Sequence, residues 1–510
     1  MPRSLLRSHP CAALVALLAA LVLLLPSCSG ADTPAPAATD GRPLRPVPDV
    51  EPAGFVSPPS GSGLARYEGQ ALDWKPCQDL LCARVLVPLD YRDPDGQAIT
   101  LSLAKRAATG PTRLGTLFIN PGGPGGSGVG FVSSFRRVGL EGYDVVGWDP
   151  RGVGQSTPVG CSGFDLDDYS SMDTSPDDPT EQSELLEANR ELGLACLKQS
   201  GPLLEHISTV EVARDLDVLR GLVGDDKLNL FGASYGTQIG ATYAQLFPAR
   251  VGRMVLDGAV DITDSRAVSQ AEGFDRALRA FADWCAGRQC SLGASQADVL
   301  EAVRGLWTRL DSAPIKVGRR ELTQQLAVAG VVNVLYANAD AYKYLLQALQ
   351  GAIDRGDGRF LLFLADQLNQ RNDQGGYGQL NFAFPAVRCL DEHDLGIQGE
   401  LDQAAQDVRA APTIGPFVGP DLVCTMWPVA PVPTLELVGA GAAPIVVVGT
   451  TIDPATPYEN AVAMAKQLQS GVLVTFKGRG HTAYGQSSCV QQLVVAYLRD
   501  GRVPKDGTTC

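Results

Sequence analysis

The chain has 510 residues, 45% of them apolar, which is enough to bury a large core and excludes a disordered protein. Its length suggests two to three domains. The formal net charge is −14, and it becomes −16 if residues 1–27 are removed, because those residues carry two arginines and no acids. An acidic chain of this kind is not expected to bind nucleic acid.

The first 27 residues have the composition of a secretory signal peptide. Two arginines precede an unbroken apolar run of fifteen residues, and the small-residue exit PSC follows it. Fifteen apolar residues are fewer than the roughly twenty that cross a bilayer. The segment LPSC, which ends at Cys28, resembles a bacterial lipobox, whose cysteine becomes the lipid-modified first residue of the mature chain. The sequence therefore predicts an exported cell-envelope lipoprotein, and the alternative is cleavage nearby and free secretion.

A proline-rich segment follows this candidate lipidation site. Residues 29–62 contain eight prolines with many Ala, Ser, Thr and Gly. This composition is typical of an extended and partly stiff linker, which we place at residues 28–65. We expect contact with a membrane only through a lipid at Cys28.

The cysteine count also indicates export. Of twelve cysteines, Cys11 would leave with the signal peptide and Cys28 would carry the lipid, so an even number of ten remains. Zinc is the competing interpretation, but the chain has no C-x-x-C pair and only four scattered histidines, so we expect no metal site and no cofactor. The spacing suggests that neighbours along the chain pair with each other: Cys77 with Cys82, Cys161 with Cys196, Cys285 with Cys290, Cys389 with Cys424, and Cys489 with Cys510.

The pattern of short apolar runs and helical stretches predicts an α/β fold. Short β-branched runs alternate with helical segments in residues 66–261, which favours a mostly parallel sheet flanked by helices. Residues 262–435 are predicted to be mainly helical, and strands return in residues 436–510. We therefore expect a sheet domain built from the first and last of these segments and interrupted by a large helical insertion.

The stretch LNLFGASYGTQIGATYAQ, residues 228–245, contains the pattern G-x-S-x-G around Ser234. The pattern alone is weak in a chain with 56 glycines. Here it follows an apolar run and precedes a run that can form a helix, which is the strand, turn and helix setting of a nucleophile elbow. Ser234 is therefore the predicted nucleophile, and the alternative is a small residue in a tight turn.

A serine nucleophile needs a base, and the base needs an orienting acid. Of the three histidines outside the signal segment, His481 follows the last predicted strand, and Asp453 follows the strand before it. The order Ser234, Asp453, His481 is the order of the triad in α/β hydrolases. The alternatives are a structural histidine and an aspartate that starts an Asp-Pro turn.

The glycine-rich stretch INPGGPGGSG, residues 119–128, follows a predicted strand. Intermediates of acyl transfer develop an oxyanion that needs backbone N–H donors, and glycines let the backbone approach a substrate closely. We expect one donor at Gly123 and the second at Tyr235, directly after the serine. A phosphate-binding loop is excluded because no G-K-[ST] follows. Further on, Asp149 and Arg151 are expected to form a structural ion pair.

Together these motifs are specific. NPGGPGGSG, WDPRGVGQS, GASYG, the aspartate of TTIDPATP and the histidine of GRGH resemble the α/β-hydrolase family of bacterial proline iminopeptidases and secreted tripeptidyl aminopeptidases. The segment from residue 435 to the end is similar to the C-terminal domain of the tripeptidyl branch, and Asn120 stands where the iminopeptidases usually have histidine. The resemblance implies an α/β-hydrolase fold with a helical cap, and removal of short peptides or single residues from free amino termini through an acyl-serine intermediate.

An aminopeptidase also requires a group that holds the substrate ammonium. In the segment AVRCLDEHD, Asp391 and Glu392 are the candidates, and surface solvation is the alternative explanation of this acidic pair. The expected partner is then a peptide with a free amino terminus. Two other functions stay open: a carboxylesterase or lipase-like hydrolase with the same triad, and an inactive envelope lipoprotein that binds peptides. The number of residues released, the side-chain preference and the oligomeric state stay open as well.

Overall fold

The computed structural model describes residues 54–263 and 268–510. The predicted signal peptide, the candidate lipidation site Cys28 and the first part of the predicted linker lie outside these residues. Within them, no helix combines the length and the apolar character that crossing a membrane requires.

One ten-stranded sheet organises the part of the chain that the structure describes. With strands numbered along the chain, it consists of β1 (Lys75–Cys77), β2 (Leu80–Pro88), β3 (Ala98–Arg106), β4 (Gly115–Asn120), β5 (Tyr143–Asp149), β6 (Leu228–Ala233), β7 (Val251–Asp257), β10 (Ile445–Ile452), β11 (Gly471–Arg479) and β12 (Thr508–Thr509). The two remaining strands, β8 (Ile315–Val317) and β9 (Arg320–Leu322), form a separate antiparallel pair.

The spatial order of the strands is β1-β2-β3-β5-β4-β6-β7-β10-β11-β12. All pairs from β5 to β12 are parallel, and all pairs from β1 to β5 are antiparallel. The predicted mostly parallel sheet is confirmed. Strands β4, β6 and β10 are almost entirely buried, as expected when helices cover both faces. In such a sheet the carboxyl ends of the parallel strands share one edge, which is where ligands bind.

Fifteen α-helices lie in the described residues. They are α1 (Ala65–Glu68), α2 (Gly128–Ser134), α3 (Leu166–Ser171), α4 (Pro179–Ser200), α5 (Thr209–Leu222), α6 (Gly236–Leu246), α7 (Gln270–Ala286), α8 (Gln296–Ser312), α9 (Gln324–Leu335), α10 (Tyr342–Arg355), α11 (Arg359–Leu368), α12 (Leu380–Asp391), α13 (Gly396–Ala410), α14 (Tyr458–Gln467) and α15 (Ser488–Asp500).

The side chains of β4 alternate between two hydrophobic cores, one on each face of the sheet. Phe118 packs in the same core as Ile239 of α6, whereas Leu117 and Ile119 pack in the same core as Val132 of α2. This alternation is the ordinary consequence of a pleated strand. The sheet is therefore the middle layer of three.

Helices α7 to α13 come between the seventh strand and the tenth, where the sequence predicts helices. Most of them share a third core of their own, in which Leu278, Phe281, Trp307 and Leu345 are fully buried. The short pair β8 and β9 lies within this region and is not predicted by the sequence. A separate core lets this region hold its own shape beside the sheet.

The predicted capping box at the start of α5 forms only in part. The spacing of Ser208 and Glu211 predicts a capping box for α5, but only the Ser208 half forms, with its hydroxyl accepting the Glu211 N–H at 3.5 Å. The Glu211 carboxylate instead contacts Arg151 at 3.2 Å and Arg214 at 3.0 Å. A guanidinium competes better than a backbone amide because both partners of the contact are charged.

The predicted ion pair between Asp149 and Arg151 is wrong. The Arg151 guanidinium is fully buried and makes a two-pronged ion pair with Asp215, at 2.7 and 2.6 Å. Asp149 accepts hydrogen bonds from the Ser127 hydroxyl at 2.6 Å and the Gln155 N–H at 2.8 Å. A buried guanidinium needs several acceptors, and the turn beside Asp149 does not supply them.

The predicted disulfide pairing is confirmed. All five bonds join cysteines that are neighbours along the chain, namely Cys77–Cys82, Cys161–Cys196, Cys285–Cys290, Cys389–Cys424 and Cys489–Cys510. The fourth bond ties α12 to the loop after α13, and the fifth ties α15 to the last residue. Such cross-links stabilise the fold by restricting the unfolded chain.

Candidate active site

Ser234 lies in the sharp turn between β6 and α6. Its φ is +55°, a strained value for a residue with a side chain. A Cβ at position 232 would lie 2.3 Å from the carbonyl oxygen of Gly236, so only glycine fits there. The Ser234 N–H donates to the carbonyl oxygen of Asp257 at 2.9 Å, and the Thr237 N–H donates to the Ser234 carbonyl oxygen at 2.8 Å. This backbone has the geometry of a nucleophile elbow.

His481 and Asp453 form a buried pair directly after the parallel strands β11 and β10. The imidazole Nδ1 lies 2.8 and 3.1 Å from the two carboxylate oxygens. The carboxylate also accepts the N–H groups of Ala455 and Thr456, at 3.1 and 3.0 Å, and that of Thr482 at 3.1 Å. Because a carboxylate can only accept hydrogen bonds, Nδ1 carries the ring proton. In the neutral ring Nε2 then carries a lone pair and can accept a proton.

Two opposing effects act on the pKa of His481. Burial lowers it, but the charge and hydrogen bond of Asp453 and the charge of Asp257 outweigh burial, so the pKa is raised above its ordinary value. The buried Nε2 has no hydrogen-bond partner among the described residues. Tyr336, from the loop after α9, packs its ring edge-on against the imidazole at 5.5 Å, and its carbonyl oxygen accepts the His481 N–H at 2.9 Å. The ring is therefore held firmly, with Nε2 left open to a new partner.

The end of β7 brings the serine turn and the histidine to one place. Asp257, its last residue, accepts the Ser234 N–H on its carbonyl oxygen. A Cβ on the next residue, Gly258, would lie 3.1 Å from Cε1 of His481. No hydrogen bond joins Nε2 of His481 to Ser234 in the described structure. Catalytic hydrogen bonds are often long without substrate and tighten when it binds.

The glycine-rich loop between β4 and α2 lies against the serine turn. At Gly122, with φ of +95°, a Cβ would lie 2.8 Å from Ser234 Cβ and 2.9 Å from Tyr235 N. The Gly122 N–H is used by Asn120, whose side-chain oxygen accepts it at 2.9 Å. The N–H groups of Gly123 and Tyr235 donate to no other group in the described residues. One of these two N–H groups thus belongs to the residue directly after the serine, and the other to the residue directly after Gly122, which lies against the serine turn.

Helix α12 of the insertion contacts the surroundings of both donors. Cδ1 of Leu380 lies 3.2 Å from the place that a Cβ on Gly123 would take. Three turns later, Asp391 accepts the N–H of Thr209 at 2.9 Å and its hydroxyl at 2.5 Å. The Thr209 hydroxyl is also hydrogen-bonded to the hydroxyl of Tyr235. The helix therefore spans the site from the glycine-rich loop to the residue after the serine.

The two acids nominated for the substrate ammonium have different surroundings. Asp391 is half-buried, and burial raises its pKa to about 7 although the hydrogen bonds from Thr209 lower it. Glu392 is exposed and lies 3.8 Å from Arg388. The structure thus brings Asp391 next to Tyr235 and leaves Glu392 at the surface.

Known proteins resemble this chain over most of its length. Residues 411–510 match the family model described as TAP-like protein. Serine protease Hip1 of Mycobacterium tuberculosis is 36% identical over 479 residues, covering 87% of this chain and 91% of that protein. The chain belongs to the α/β-hydrolase family that includes this protease. Carboxylesterase B of Mycobacterium tuberculosis is 34% identical over 467 residues, covering 86% and 89%. A tripeptidyl aminopeptidase of Streptomyces lividans is 32% identical over 480 residues, covering 87% and 86%.

One buried acid of this α/β hydrolase is absent from the predicted site. Asp257 is fully buried, and its carboxylate accepts the N–H of Ala483 at 2.9 Å and that of Tyr484 at 2.7 Å. Burial raises its pKa to about 6, although these two hydrogen bonds lower it. A signal existed, since Asp257 ends the apolar run RMVLD, residues 253–257, in the region that is predicted to form the sheet. The sequence did not reveal that this strand lies between those of Ser234 and Asp453.

Three potential metal ligands lie at the start of α4. In the part of the chain that the structure describes, the carboxylates of Asp177, Asp178 and Glu181 lie within 4.8 Å of one another. Asp178 already caps α4, and Glu181 accepts the Asp177 N–H at 2.9 Å. Exposed acids with such local roles do not define a cofactor site.

We expect Asp453→Asn to lower the pKa of His481 by about one unit or more, because it removes the charge that favours the imidazolium. The measurement is an NMR titration of the imidazole nitrogens in labelled protein. Asp506→Asn is the control, since this exposed aspartate also accepts a backbone N–H, that of Leu473 at 2.9 Å. An unchanged His481 pKa in Asp453→Asn would contradict the pairing described above.

Proposed function

We propose that this protein is an exported serine aminopeptidase that cleaves short peptides or single residues from free amino termini through an acyl-serine intermediate. One observation carries the proposal. His481, oriented by Asp453, has an Nε2 without a partner among the described residues, at the sheet edge where Ser234 lies in a strained turn. The N–H groups of Tyr235, in that turn, and of Gly123, in the loop against it, have no acceptor among the described residues either. The names of the related serine protease and tripeptidyl aminopeptidase support the proposal of a serine aminopeptidase.

Acylation follows from this arrangement. Ser234 Oγ attacks the scissile carbonyl carbon while Nε2 of His481 takes the hydroxyl proton. The carbonyl π electrons move to the oxygen, which accepts hydrogen bonds from the N–H groups of Gly123 and Tyr235. When the intermediate collapses, the carbon–nitrogen bond breaks and the leaving amine takes the proton from Nε2. The N-terminal fragment stays on Ser234 as an ester.

Deacylation repeats these steps with water. His481 takes a proton from the water that attacks the ester and returns it to Ser234 Oγ as the acyl group leaves. Each half of the reaction starts with a neutral Nε2. Activity is therefore expected to fall as the pH drops through the raised pKa of His481.

The helical insertion is the proposed selector of substrate. We propose that residues 262–435 form a cap over a core made of residues 66–261 and 436–510. Support comes from α12, which lies over the glycine-rich loop, and from Tyr336, which packs against His481. In this fold the sheet supplies the triad, and insertions decide what reaches it.

A comparison of three substrates tests the proposed function. We expect rapid hydrolysis of an unblocked peptide amide, and much slower hydrolysis of its N-acetylated form and of a short-chain aryl ester. Mass spectrometry of the products from unblocked peptides of increasing length would then give the number of residues released. Ser234→Ala should abolish all hydrolysis while retaining the fold by circular dichroism. Equal rates on the free and the acetylated peptide would reject an aminopeptidase.

The carboxylesterase is the second candidate, because one relative carries that name at similar identity. It would hydrolyse the aryl ester fastest and ignore the state of the peptide amine. An inactive peptide-binding protein is the third. In that case a fluorophosphonate probe would fail to label Ser234, although peptides would still bind.

We also propose that Asp391 and Glu392 hold the substrate ammonium. Asp391 makes two hydrogen bonds, both with Thr209, and a carboxylate can accept about four, so it has capacity for an ammonium. We expect Asp391→Asn to raise KM for free-amine peptides about tenfold or more, and Glu392→Gln to have a smaller effect. Neither change should alter KM for the aryl ester. Asp402→Asn, at an exposed acid of α13, is the control, and an unchanged KM for both variants would contradict the proposal.

Export and lipid anchoring are proposed from separate observations. Five disulfides suit an oxidising compartment, and residues 1–28 have the pattern of a signal peptide ending in a lipobox. We expect the natural protein to partition into detergent from the cell envelope and Cys28→Ala to be released into the aqueous phase. Identical partitioning of the two would argue against a lipid at Cys28.

A further inference from the structure

Asp257 occupies the central position at the carboxyl edge of the sheet. In the strand register it pairs with Ala233, directly before Ser234, on one side. On the other side it pairs with Val448 of β10, the strand that leads to Asp453. Asp257 therefore lies between the strand that leads to Ser234 and the strand that leads to Asp453.

The backbone and the side chain of Asp257 contact different catalytic elements. Its backbone carbonyl oxygen accepts the Ser234 N–H at 2.9 Å. Its carboxylate accepts the N–H groups of Ala483 and Tyr484, two and three residues after His481. A single oxygen, Oδ2, reaches both amides, at 3.1 and 2.7 Å. One residue thus ties the serine turn to the histidine loop.

The negative charge at Asp257 does not serve the stability of the fold. Its pKa of about 6 is higher than that of an ordinary aspartate, so the contribution of this group to stability is largest at low pH. That contribution is lost as the pH rises through about 6, and above this the buried charge costs stability. A neutral asparagine would still offer one oxygen to the two amides. A negatively charged residue at position 257 therefore needs an explanation other than the stability of the fold.

The groups around the imidazole provide that reason. His481 is faced by Asp453 from the loop after β10, by Asp257 from β7, and by Tyr336 from the insertion. Burial raises the pKa of Tyr336 to about 12, so its hydroxyl stays neutral at physiological pH. The Asp453 carboxylate therefore contacts the imidazole directly, and the Asp257 carboxylate, held by the N–H groups of Ala483 and Tyr484 in the same loop, adds a second negative charge that acts on the ring.

We propose that Asp257 is a positioning residue for His481. The negative charge of Asp257 stabilises the imidazolium that forms when Ser234 gives up its proton. The Asp257 carboxylate also holds the histidine loop against the serine turn. This inference rests on the proposed acyl transfer. The proton moves from Ser234 Oγ to Nε2 of His481 in the same step as before, and Asp257 stays ionised throughout. Its charge lowers the energy of the charged ring without touching the substrate.

The decisive variant is Asp257→Asn, which removes the charge and can keep one oxygen at the position of Oδ2, within reach of both amides. We expect the pKa of His481, measured by NMR titration, to fall by about one unit, since a nearby opposite charge shifts a pKa by about that much or more. The acid limb of the kcat profile should move to lower pH by the same amount. At its optimum kcat should fall roughly tenfold with KM unchanged, because one pKa unit of lost imidazolium stabilisation is equivalent to tenfold.

Asp275→Asn is the matched control. Asp275 is also a buried carboxylate that accepts two consecutive backbone N–H groups, those of Thr413 and Ile414, at 2.8 and 3.2 Å. It lies in α7 and is paired with Arg279, so its loss should leave the His481 pKa and the pH profile unchanged. Asp257→Ala removes charge and acceptor together, and we expect a larger loss of kcat than with Asp257→Asn.

Two failures can be told apart. If Asp257→Asn has the His481 pKa and pH profile of the natural protein, while Asp257→Ala is defective, the residue is only structural and the inference is overturned. The NMR titration does not require activity, so it decides this point even if the protein hydrolyses no peptide. If the natural protein itself cleaves no peptide and its Ser234 resists the fluorophosphonate probe, the proposed function fails instead.

Discussion

The buried hydrogen bond between Asp453 and His481 is the constraint on which the rest of the site depends. A carboxylate is stable at such a depth only if donors surround it, and here three backbone N–H groups and the imidazole do so. These donors come from the loops after two neighbouring strands, so the pair can form only when β10 and β11 are in register. The same bond places the ring proton on Nδ1. It thereby leaves Nε2 without a partner, on the side where a base is needed.

The parallel sheet explains why so many polar groups meet in so small a space. Ser234, Asp257, Asp453 and His481 each lie at or directly after the carboxyl end of a strand, and the strands β6, β7, β10 and β11 are consecutive neighbours. Backbone groups at this edge have no partner in the next strand, so they bind side chains and each other. The Asp257 carbonyl oxygen, which accepts the Ser234 N–H, and the Thr482 N–H, which donates to the Asp453 carboxylate, are examples. The chemistry is therefore a property of one edge of one sheet.

The helical insertion contacts the surroundings of the site through specific side chains. Leu380 packs on the glycine-rich loop, Asp391 binds Thr209 beside Tyr235, and Tyr336 packs on His481. A movement of α12 would therefore disturb both candidate oxyanion donors together. Part of α12 also packs in a hydrophobic core of the sheet, whereas most other helices of the insertion share a core of their own.

Local rules account for what the sequence by itself determined. The turn at Ser234, the mostly parallel sheet and the five disulfide pairs were predicted because each depends on spacing along the chain or on short-range turn chemistry. The candidate triad was named from the G-x-S-x-G turn, from the positions of Asp453 and His481 after predicted strands and from their chain order, and the structure brings Asp453 and His481 into contact. Only the tertiary structure decided which neighbours Asp149, Arg151, Glu211 and Asp257 have. Their partners lie as much as 227 residues away in sequence, and a buried charge takes whichever donors or acceptors the packed strands and helices bring to it.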